Sequence, residues 1–198
     1  MGHRTCPWWG GYLLASPLRR LLMDPVATVK PYLREGMTVL EPGPGMGFFT
    51  LEMARRVGTS GRVVAVDVEP RMIAELKRRL AKAGLLERTE ARVVPSDSLD
   101  LQDLHGKVDF VLAMAVVHEM PNSGRFFAEV VEAMKPGATL LLVEPSGHVT
   151  KAAFEAELQD AVAAGLEVAG RPVIRRNQAA LLKKAPLPKK REKQSTLG

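Results

Sequence analysis

Short apolar runs alternate with longer amphipathic segments along this chain from residue 37 onward. A short apolar run bounded by polar residues predicts a strand that is buried on both faces. Segments with apolar residues three and four positions apart, which lie between these runs, predict helices. The alternation therefore predicts an α/β fold with a mostly parallel sheet. The expected strands are Thr38–Leu40, Arg62–Val66, Ala91–Val94, Val108–Met114, Thr139–Val143, Leu166–Val168 and Ala179–Leu182.

The predicted helices are bounded by residues that start or stop helical hydrogen bonding. Asp24 is an expected N-cap before Pro25 at the first helical position, and Gly36 lies just past the expected end. Five strands separated by helices, then two strands with no helix between them, make seven strands in total. The other helices are expected over residues 47–57, 70–83, 151–164 and from Asn122 to Pro136-Gly137.

The length and composition are those of one globular domain. A chain of 198 residues can bury a full hydrophobic core, and it is short for two domains. No apolar run approaches the roughly 20 residues of a membrane-spanning helix. The first residues lack the apolar core of a secretion signal, and the single cysteine, Cys6, cannot form an internal disulfide. We therefore expect a cytoplasmic protein with no membrane association.

The net charge of +6 is concentrated at the C-terminal end. Residues 183–198 contain six basic residues and one acidic residue, which leaves the rest of the chain nearly neutral. A basic segment rich in Pro and Lys is typical of a solvated, disordered tail, although it would also bind phosphate backbones weakly. We expect three parts: an N-terminal extension over 1–23, an α/β domain over 24–184 and a basic tail over 185–198.

A glycine-rich loop, Glu41-Pro42-Gly43-Pro44-Gly45-Met46-Gly47, follows the first expected strand. Such a loop places backbone N–H groups and a helix N-terminus beside a ligand. The third glycine comes one residue too early for the dinucleotide pattern, and no Gly-Lys-Ser/Thr of a P-loop follows. Glu41 before the loop would repel a phosphate and favour a cationic ligand. Asp67 ends the second strand, where an acid reaches ribose hydroxyls in nucleotide-binding α/β folds.

Four segments together resemble the class I S-adenosylmethionine (SAM)-dependent methyltransferases, and the resemblance covers most of residues 37–184. Val39–Gly47 is similar to the first motif of the family, and Val66–Met72 is similar to the second, whose acid holds the ribose. Pro95–Leu99 resembles the loop that accepts the adenine amino group, and Asp109–Glu119 resembles the strand-four motif of the quinone-biosynthesis-like, small-molecule branch. The resemblance implies a Rossmann-like three-layer sandwich whose seven-stranded, mostly parallel sheet has an antiparallel last strand. It also implies SAM as the cofactor and methyl transfer as the reaction.

The cofactor-binding residues implied by this resemblance lie in the loops that follow the first four strands. The loops come together because the carboxyl ends of parallel strands meet at one edge of the sheet. The implied residues are Glu41, Gly43, Gly45, Gly47, Asp67, Val68, Asp97, Ser98 and Ala115.

The acceptor side offers two histidines. Methyl transfer from a sulfonium is an in-line displacement, and a base is needed only when the nucleophile must lose a proton. His118, after the fourth strand, is the first candidate base; alternatively its hydrogen bond steadies the loop. His148, after the fifth strand, is the second candidate, with a solvated histidine as the alternative. Arg175-Arg176 would hold an acidic acceptor or form a solvated turn. No metal site is expected, because His3 and Cys6 supply too few ligands.

The acceptor itself is left open, with a small planar or apolar molecule as the expectation. Trp8, Trp9 and Tyr12 of the extension would either cover the acceptor pocket or anchor the extension on the core. One rival is a nucleic-acid methyltransferase aided by the basic tail. Ala113-Met114-Ala115-Val116 lacks the Asn/Asp-Pro-Pro-aromatic sequence that holds a flipped base amino group, which disfavours this rival. A SAM-binding regulator without catalysis is the other rival, and the oligomeric state stays open.

Overall fold

Seven strands form one sheet in the computed structural model, which describes residues 23–185. The strand order is β3-β2-β1-β4-β5-β7-β6. Strands β1 to β5 pair in parallel, and β7 pairs antiparallel with both β5 and β6. The predicted seven-stranded sheet with an antiparallel last strand is thus confirmed. The strands are β1 Thr38–Pro42, β2 Arg62–Asp67, β3 Thr89–Val93, β4 Val108–Met114, β5 Met134–Pro145, β6 Leu166–Gly170 and β7 Asn177–Lys184.

Five α-helices of the described part connect or flank these strands. Four of them begin at a residue whose side chain accepts a hydrogen bond from a backbone N–H of the first turn, which satisfies one of the unpaired donors there. These capping residues are Asp24, Glu69, Asn122 and Thr150. The helices are α1 Pro25–Val29, α2 Thr50–Arg56, α3 Pro70–Lys82, α4 Ser123–Ala133 and α5 Lys151–Ala163.

Four predicted element boundaries are wrong by three residues or more, each for a local reason. Helix α1 ends at Val29 rather than near Gly36, because Pro31 has no N–H with which to continue the helix. Helix α2 starts at Thr50 rather than Gly47, whose φ of +86° is not helical.

Helix α4 ends at Ala133, before the predicted Pro136-Gly137, and β5 begins at Met134 rather than at Thr139. Met134 is already extended, with a ψ of 141°. The following Lys135 precedes a proline and so disfavours the helical region.

The core lies on both faces of the sheet, because successive strand residues point to opposite faces. On one face Leu40 and Val111 pack in a cluster that includes Phe127 of α4 and Phe154 of α5. On the other face Val39, Phe110 and their neighbours pack against residues of α1, α2 and α3. Both faces are therefore covered, and the carboxyl-end loops of the parallel strands are left at one open edge.

No helix within residues 23–185 is long and apolar enough to cross a membrane. The expected roles of Trp8, Trp9 and Tyr12 and of the basic tail concern residues 1–22 and 186–198, which lie outside the described part of the chain.

Candidate active site

A cavity of about 540 Å³ opens at the carboxyl ends of β1, β2, β3 and β4. We call it the four-loop cavity, because it is lined by residues from the loop after each of these strands. Ligands of open α/β sheets bind at this edge. Seven of the nine residues expected to bind the cofactor line the cavity: Gly43, Gly45, Asp67, Val68, Asp97, Ser98 and Ala115.

The three glycines of the loop after β1 have different surroundings. Gly43 has a φ of +66°, and a Cβ there would lie 2.7 Å from a methyl carbon of Val116, so the β1 and β4 loops are in direct contact. Gly45 lines the cavity, and the space where its Cβ would stand is open. A Cβ on Gly47 would lie 2.5 Å from Cδ1 of Leu76. Gly47 therefore allows α3 to pack on the loop and is not part of the cavity wall.

Glu41 lies behind this loop. The residue is 3% exposed, and its Oε2 accepts a hydrogen bond of 2.5 Å from the Thr50 hydroxyl. A buried polar group needs such a partner, since leaving one unpaired is costly. The bond ties the end of β1 to the first turn of α2. Glu41 thus supports the loop through its contact with α2, and it does not line the four-loop cavity.

Asp67 ends β2 and lines the four-loop cavity. Its Oδ1 accepts a hydrogen bond of 3.0 Å from the backbone N–H of Glu69. Burial raises the pKa of Asp67, and hydrogen bonds from the backbone N–H groups of Glu69 and Gly45 partly oppose this rise. Gly45 belongs to the first loop and Asp67 ends the second strand, so the Gly45 N–H acts on the carboxyl group from the neighbouring loop. The carboxyl group therefore lies where these loops meet.

Ala115 turns the chain at the end of β4. Its φ of +54° lies in the left-handed region, which costs a non-glycine residue roughly 1–2 kcal/mol. Its backbone N–H donates to the Val143 carbonyl at 2.7 Å, which fixes the turn to β5. Beyond it, Glu119 and Met120 return to the wall of the four-loop cavity.

His118 lies on the 3-10 turn Val117–Glu119 that follows β4. Its Nδ1 is 2.5 Å from Oε2 of Glu144, a fully buried residue near the end of β5. Oε1 of Glu144 accepts a second hydrogen bond, of 2.9 Å, from the Val117 N–H. The bond to Glu144 raises the pKa of His118, and partial burial of the ring opposes the rise.

His118 is not part of the four-loop cavity wall. It lines an adjoining cavity of about 350 Å³, which we call the His118 cavity. The two cavities share three wall residues, so they adjoin at one short segment. The shared residues are Met120, Pro121 and Asn122.

Glu157 of α5 also lines the His118 cavity. The residue is 8% exposed, and within residues 23–185 its Oε2 has no hydrogen-bond partner. Burial, and secondarily the charge of Glu144, raise the pKa of Glu157 to about 7. Asp160, one turn further along α5, lines the same cavity and accepts a hydrogen bond from the Ser123 hydroxyl.

Comparison with known proteins identifies the family. Residues 33–186 match the family model described as a methyltransferase domain. The chain belongs to the class I SAM-dependent methyltransferases. A crystal structure of a SAM-dependent methyltransferase from Aquifex aeolicus superposes with a TM-score of 0.80 and 26% identity, over 90% of this chain and 98% of that one. SAM is the methyl donor of this family.

Curated relatives match the chain more distantly. A ubiquinone/menaquinone biosynthesis C-methyltransferase of Hydrogenovibrio crunogenus is 28% identical over 112 residues, which are 57% of this chain and 43% of that protein. An arsenite methyltransferase of Halobacterium salinarum is 32% identical over 124 residues, which are 63% of this chain and 30% of that protein. The matched region is thus less than half of either relative, and the acceptors of the relatives differ.

Glu129 of α4 lines the four-loop cavity, and the sequence did not reveal this position. Its Oε2 accepts hydrogen bonds from the Ser98 hydroxyl at 3.1 Å and the Leu99 N–H at 2.6 Å. Its Oε1 accepts one from Arg125 at 3.0 Å, and Arg125 lies 3.4 Å from a carboxylate oxygen of Asp97. The only available signal was the spacing of four residues between Arg125 and Glu129. Glu129 therefore fixes the third loop of the cavity.

The other residues that the sequence suggested for the acceptor side line neither cavity. The ring of His148 is 6.4 Å from that of His118, centroid to centroid, and perpendicular to it, but His148 lines neither cavity. Arg175 and Arg176 lie on the exposed turn between β6 and β7, where the Arg176 carbonyl accepts a hydrogen bond from the Ser146 N–H. Among the described residues no cluster of three or more His, Cys, Asp or Glu side chains is arranged to hold a metal ion.

Proposed function

We propose that the methyltransferase binds SAM across the four-loop cavity and transfers its methyl group to a small planar or apolar molecule. One observation carries this proposal: a single cavity brings together the loops that follow four neighbouring parallel strands. The adenosine part of SAM lies between Asp67 and the loop 95–99, and the methionine part lies along Gly43–Gly45.

Each loop supplies a different contact in this proposal. The Asp67 carboxylate accepts hydrogen bonds from the ribose hydroxyls, and its bond from the Glu69 N–H holds it in place. Asp97 and Ser98 face the polar edge of adenine, and Val68 covers one face of the ring. Ala115 closes the cavity at the end of β4.

Glu41 and Gly47 act indirectly in the proposed site. Glu41 holds the first turn of α2 through Thr50, and Gly47 lets Leu76 of α3 pack on the loop. Both therefore set the shape of the glycine-rich loop, and the contacts with the methionine part of SAM come from the loop itself.

Apolar residues support a planar or apolar acceptor. Met114, Met120 and Phe126 line the side of the four-loop cavity that is nearest β4 and α4. Methionine adapts to irregular apolar shapes, and its sulfur makes favourable contacts with aromatic rings. The name of the Hydrogenovibrio relative, a quinone-biosynthesis C-methyltransferase, agrees with a planar ring as acceptor.

Calorimetric titration with S-adenosylhomocysteine (SAH), the demethylated product, tests the cofactor site. Asp67→Asn should weaken binding about 10- to 100-fold, the equivalent of roughly 1.5–3 kcal/mol for a hydrogen bond to a charged group. Asp103→Asn is the matched control, because Asp103 pairs with Arg92 outside the cavity and should leave the affinity unchanged. Equal affinities of the two variants would mean that the ribose is held elsewhere.

An acceptor screen tests the substrate class. The protein is incubated with SAM and either small ring compounds, such as catechol and hydroquinone, or short RNA and DNA strands, and SAH release is measured. Turnover with a ring compound and none with nucleic acid is the expected result. Turnover with nucleic acid alone would contradict the proposed acceptor class while leaving the donor site intact.

A further inference from the structure

The turn between β6 and β7, residues 171–176, lies at the same edge of the sheet as the four-loop cavity. Asn177, the first residue of β7, pairs with Pro145 at the carboxyl end of β5. Strand β7 is two strands away from β4, whose loop lines the cavity. Neighbouring strands are about 4.8 Å apart, so β7 runs roughly 10 Å from β4. A flat surface that contacts the turn therefore also lies along the edge at which the cavity opens.

The turn carries an apolar side chain in full contact with water. Val173 is 100% exposed, whereas the next most exposed large apolar side chain of the described part, that of Val162, is 52% exposed. The neighbouring Ile174 packs against the core instead. A single exposed apolar residue is ordinary by itself, so the charges around Val173 decide what this position means.

The turn has a defined conformation. Arg176 has a φ of +60°, which is unfavourable for a residue with a side chain. Its carbonyl accepts a hydrogen bond of 3.2 Å from the Ser146 N–H, which ties the turn to the loop after β5. The side-chain amide of Asn177 donates to the Arg175 carbonyl at 2.6 Å. These bonds hold the exposed residues of the turn in one arrangement.

Cations surround the exposed valine. Arg175 and Arg176 are exposed, and within residues 23–185 their guanidinium groups form no ion pair. Arg171 pairs with both oxygens of Glu155 at 2.8 and 2.9 Å, and the charge of Lys151 acts on the same carboxylate. Four cations and one carboxylate leave a net charge of +3. We call these residues the basic turn surface: Lys151, Glu155, Arg171, Val173, Arg175 and Arg176.

We propose that the basic turn surface docks the protein on an anionic lipid surface. The arginines attract the lipid phosphates, and Val173 enters the headgroup region, where its side chain leaves water. The expectation of no membrane association rests on the lack of a spanning segment, and a peripheral contact needs none. Docking places the edge with the four-loop cavity beside the lipid, in which an apolar acceptor would dissolve. This last consequence rests on the proposed function, whereas the docking itself does not.

A nucleic acid fits the same surface less well. Its phosphates would also attract the arginines. However, none of the six residues of the basic turn surface is aromatic, so bases have no ring on which to stack. A fully exposed valine gains nothing from a phosphate backbone, whereas a lipid surface engages both the charges and the apolar side chain.

Co-sedimentation of the full chain with lipid vesicles tests the charges. The wild type should bind vesicles of phosphatidylcholine and phosphatidylglycerol in equal parts, and bind phosphatidylcholine alone far more weakly. Arg175→Gln/Arg176→Gln should lower the partition coefficient about 10- to 30-fold, because each arginine near an anionic surface contributes about 5-fold. Lys77→Gln/Lys82→Gln is the matched control, since it removes the same charge from exposed positions of α3 and should change binding little. The tail 186–198 is the same in every variant.

A second pair of variants tests the apolar contact. Val173→Ser should lower the partition coefficient about 3- to 10-fold, because part of the valine surface leaves water on docking. Val162→Ser, on the exposed side of α5, should leave it unchanged. All four variants should keep the wild-type affinity for SAH, which shows that they fold. Absence of SAH binding in the wild type would refute the proposed SAM site and leave the vesicle result in force.

Three results would overturn the inference. The first is a wild type that does not bind the anionic vesicles. The second is an equal loss of binding in the two double variants. The third is binding of a short RNA strand, measured by fluorescence anisotropy, that falls in Arg175→Gln/Arg176→Gln while Val173→Ser changes neither RNA nor vesicle binding; this result would assign the surface to nucleic acid.

Discussion

Glu157 provides a sharp prediction about stability, because its ordinary pKa is 4.5 and burial raises it to about 7 in the folded protein. Between these two values the folded chain holds a proton that the unfolded chain releases. The free energy of unfolding must therefore fall as the pH rises through this window. Above pH 7 the contribution of the Glu157 proton to stability is lost in full. One pKa unit corresponds to 1.36 kcal/mol, so the fall attributable to Glu157 is about 3 kcal/mol.

Glu157→Gln removes this titration. The amide changes stability by a constant amount at every pH, whereas the carboxyl changes it only within the window. Urea unfolding followed by circular dichroism gives the free energy of unfolding of the variant and of the wild type at pH 5 and at pH 8. The variant should be more stable relative to the wild type at pH 8 than at pH 5, by about 2–3 kcal/mol. Glu155→Gln on the same helix is the control, because the ion pair with Arg171 lowers the pKa of Glu155 and so moves its titration below this window. Parallel pH curves for Glu157→Gln and the wild type would refute the reasoning.

Further predictions concern the cofactor loops. Gly47→Ala should lower the free energy of unfolding by about 2–4 kcal/mol in urea titrations, because Gly47 has a positive φ and the new Cβ would overlap a leucine of α3. Gly84 also has a positive φ but faces open space, so Gly84→Ala should lower it by only about 1–2 kcal/mol. Equal losses in the two variants would contradict this. Glu129→Gln should weaken SAH binding about 3- to 10-fold by calorimetry, since the loop 95–99 loses charged hydrogen bonds, whereas Glu132→Gln on the exposed side of the same helix should not. Because burial raises the pKa of Asp67, SAH affinity should begin to fall on acidification at a higher pH than for an ordinary aspartate. A pH-independent affinity would exclude Asp67 as the ribose ligand.

Seven of the nine residues that the sequence singled out line one cavity, for a reason that lies in the topology. Gly43, Asp67 and Asp97 are far apart in the chain, but each follows a strand whose apolar run is easily recognised. Parallel strands bring such positions to one edge, so finding the strands was sufficient. Strand β4 was predicted with both ends correct, Val108–Met114.

The acids around His118 could not be predicted in the same way. Glutamate is rarely buried unless it is paired, and nothing in the sequence marks Glu144 and Glu157 as buried. Their burial depends on how the end of β5 and the helix α5 pack, and no local pattern encodes this. The position of His118 outside the four-loop cavity likewise follows from the 3-10 turn after β4, which the periodicity of the sequence did not indicate.

Hydrogen–deuterium exchange with SAH tests the central claim most directly, namely that the methyl donor occupies the four-loop cavity. SAH should slow exchange in four segments, 43–47, 67–72, 95–99 and 115–122, and leave the turn 171–176 unchanged. NAD at the same concentration should have no effect on any of them. Protection of all four segments by SAH alone is the predicted result; protection elsewhere, or equal protection by NAD, would contradict the account.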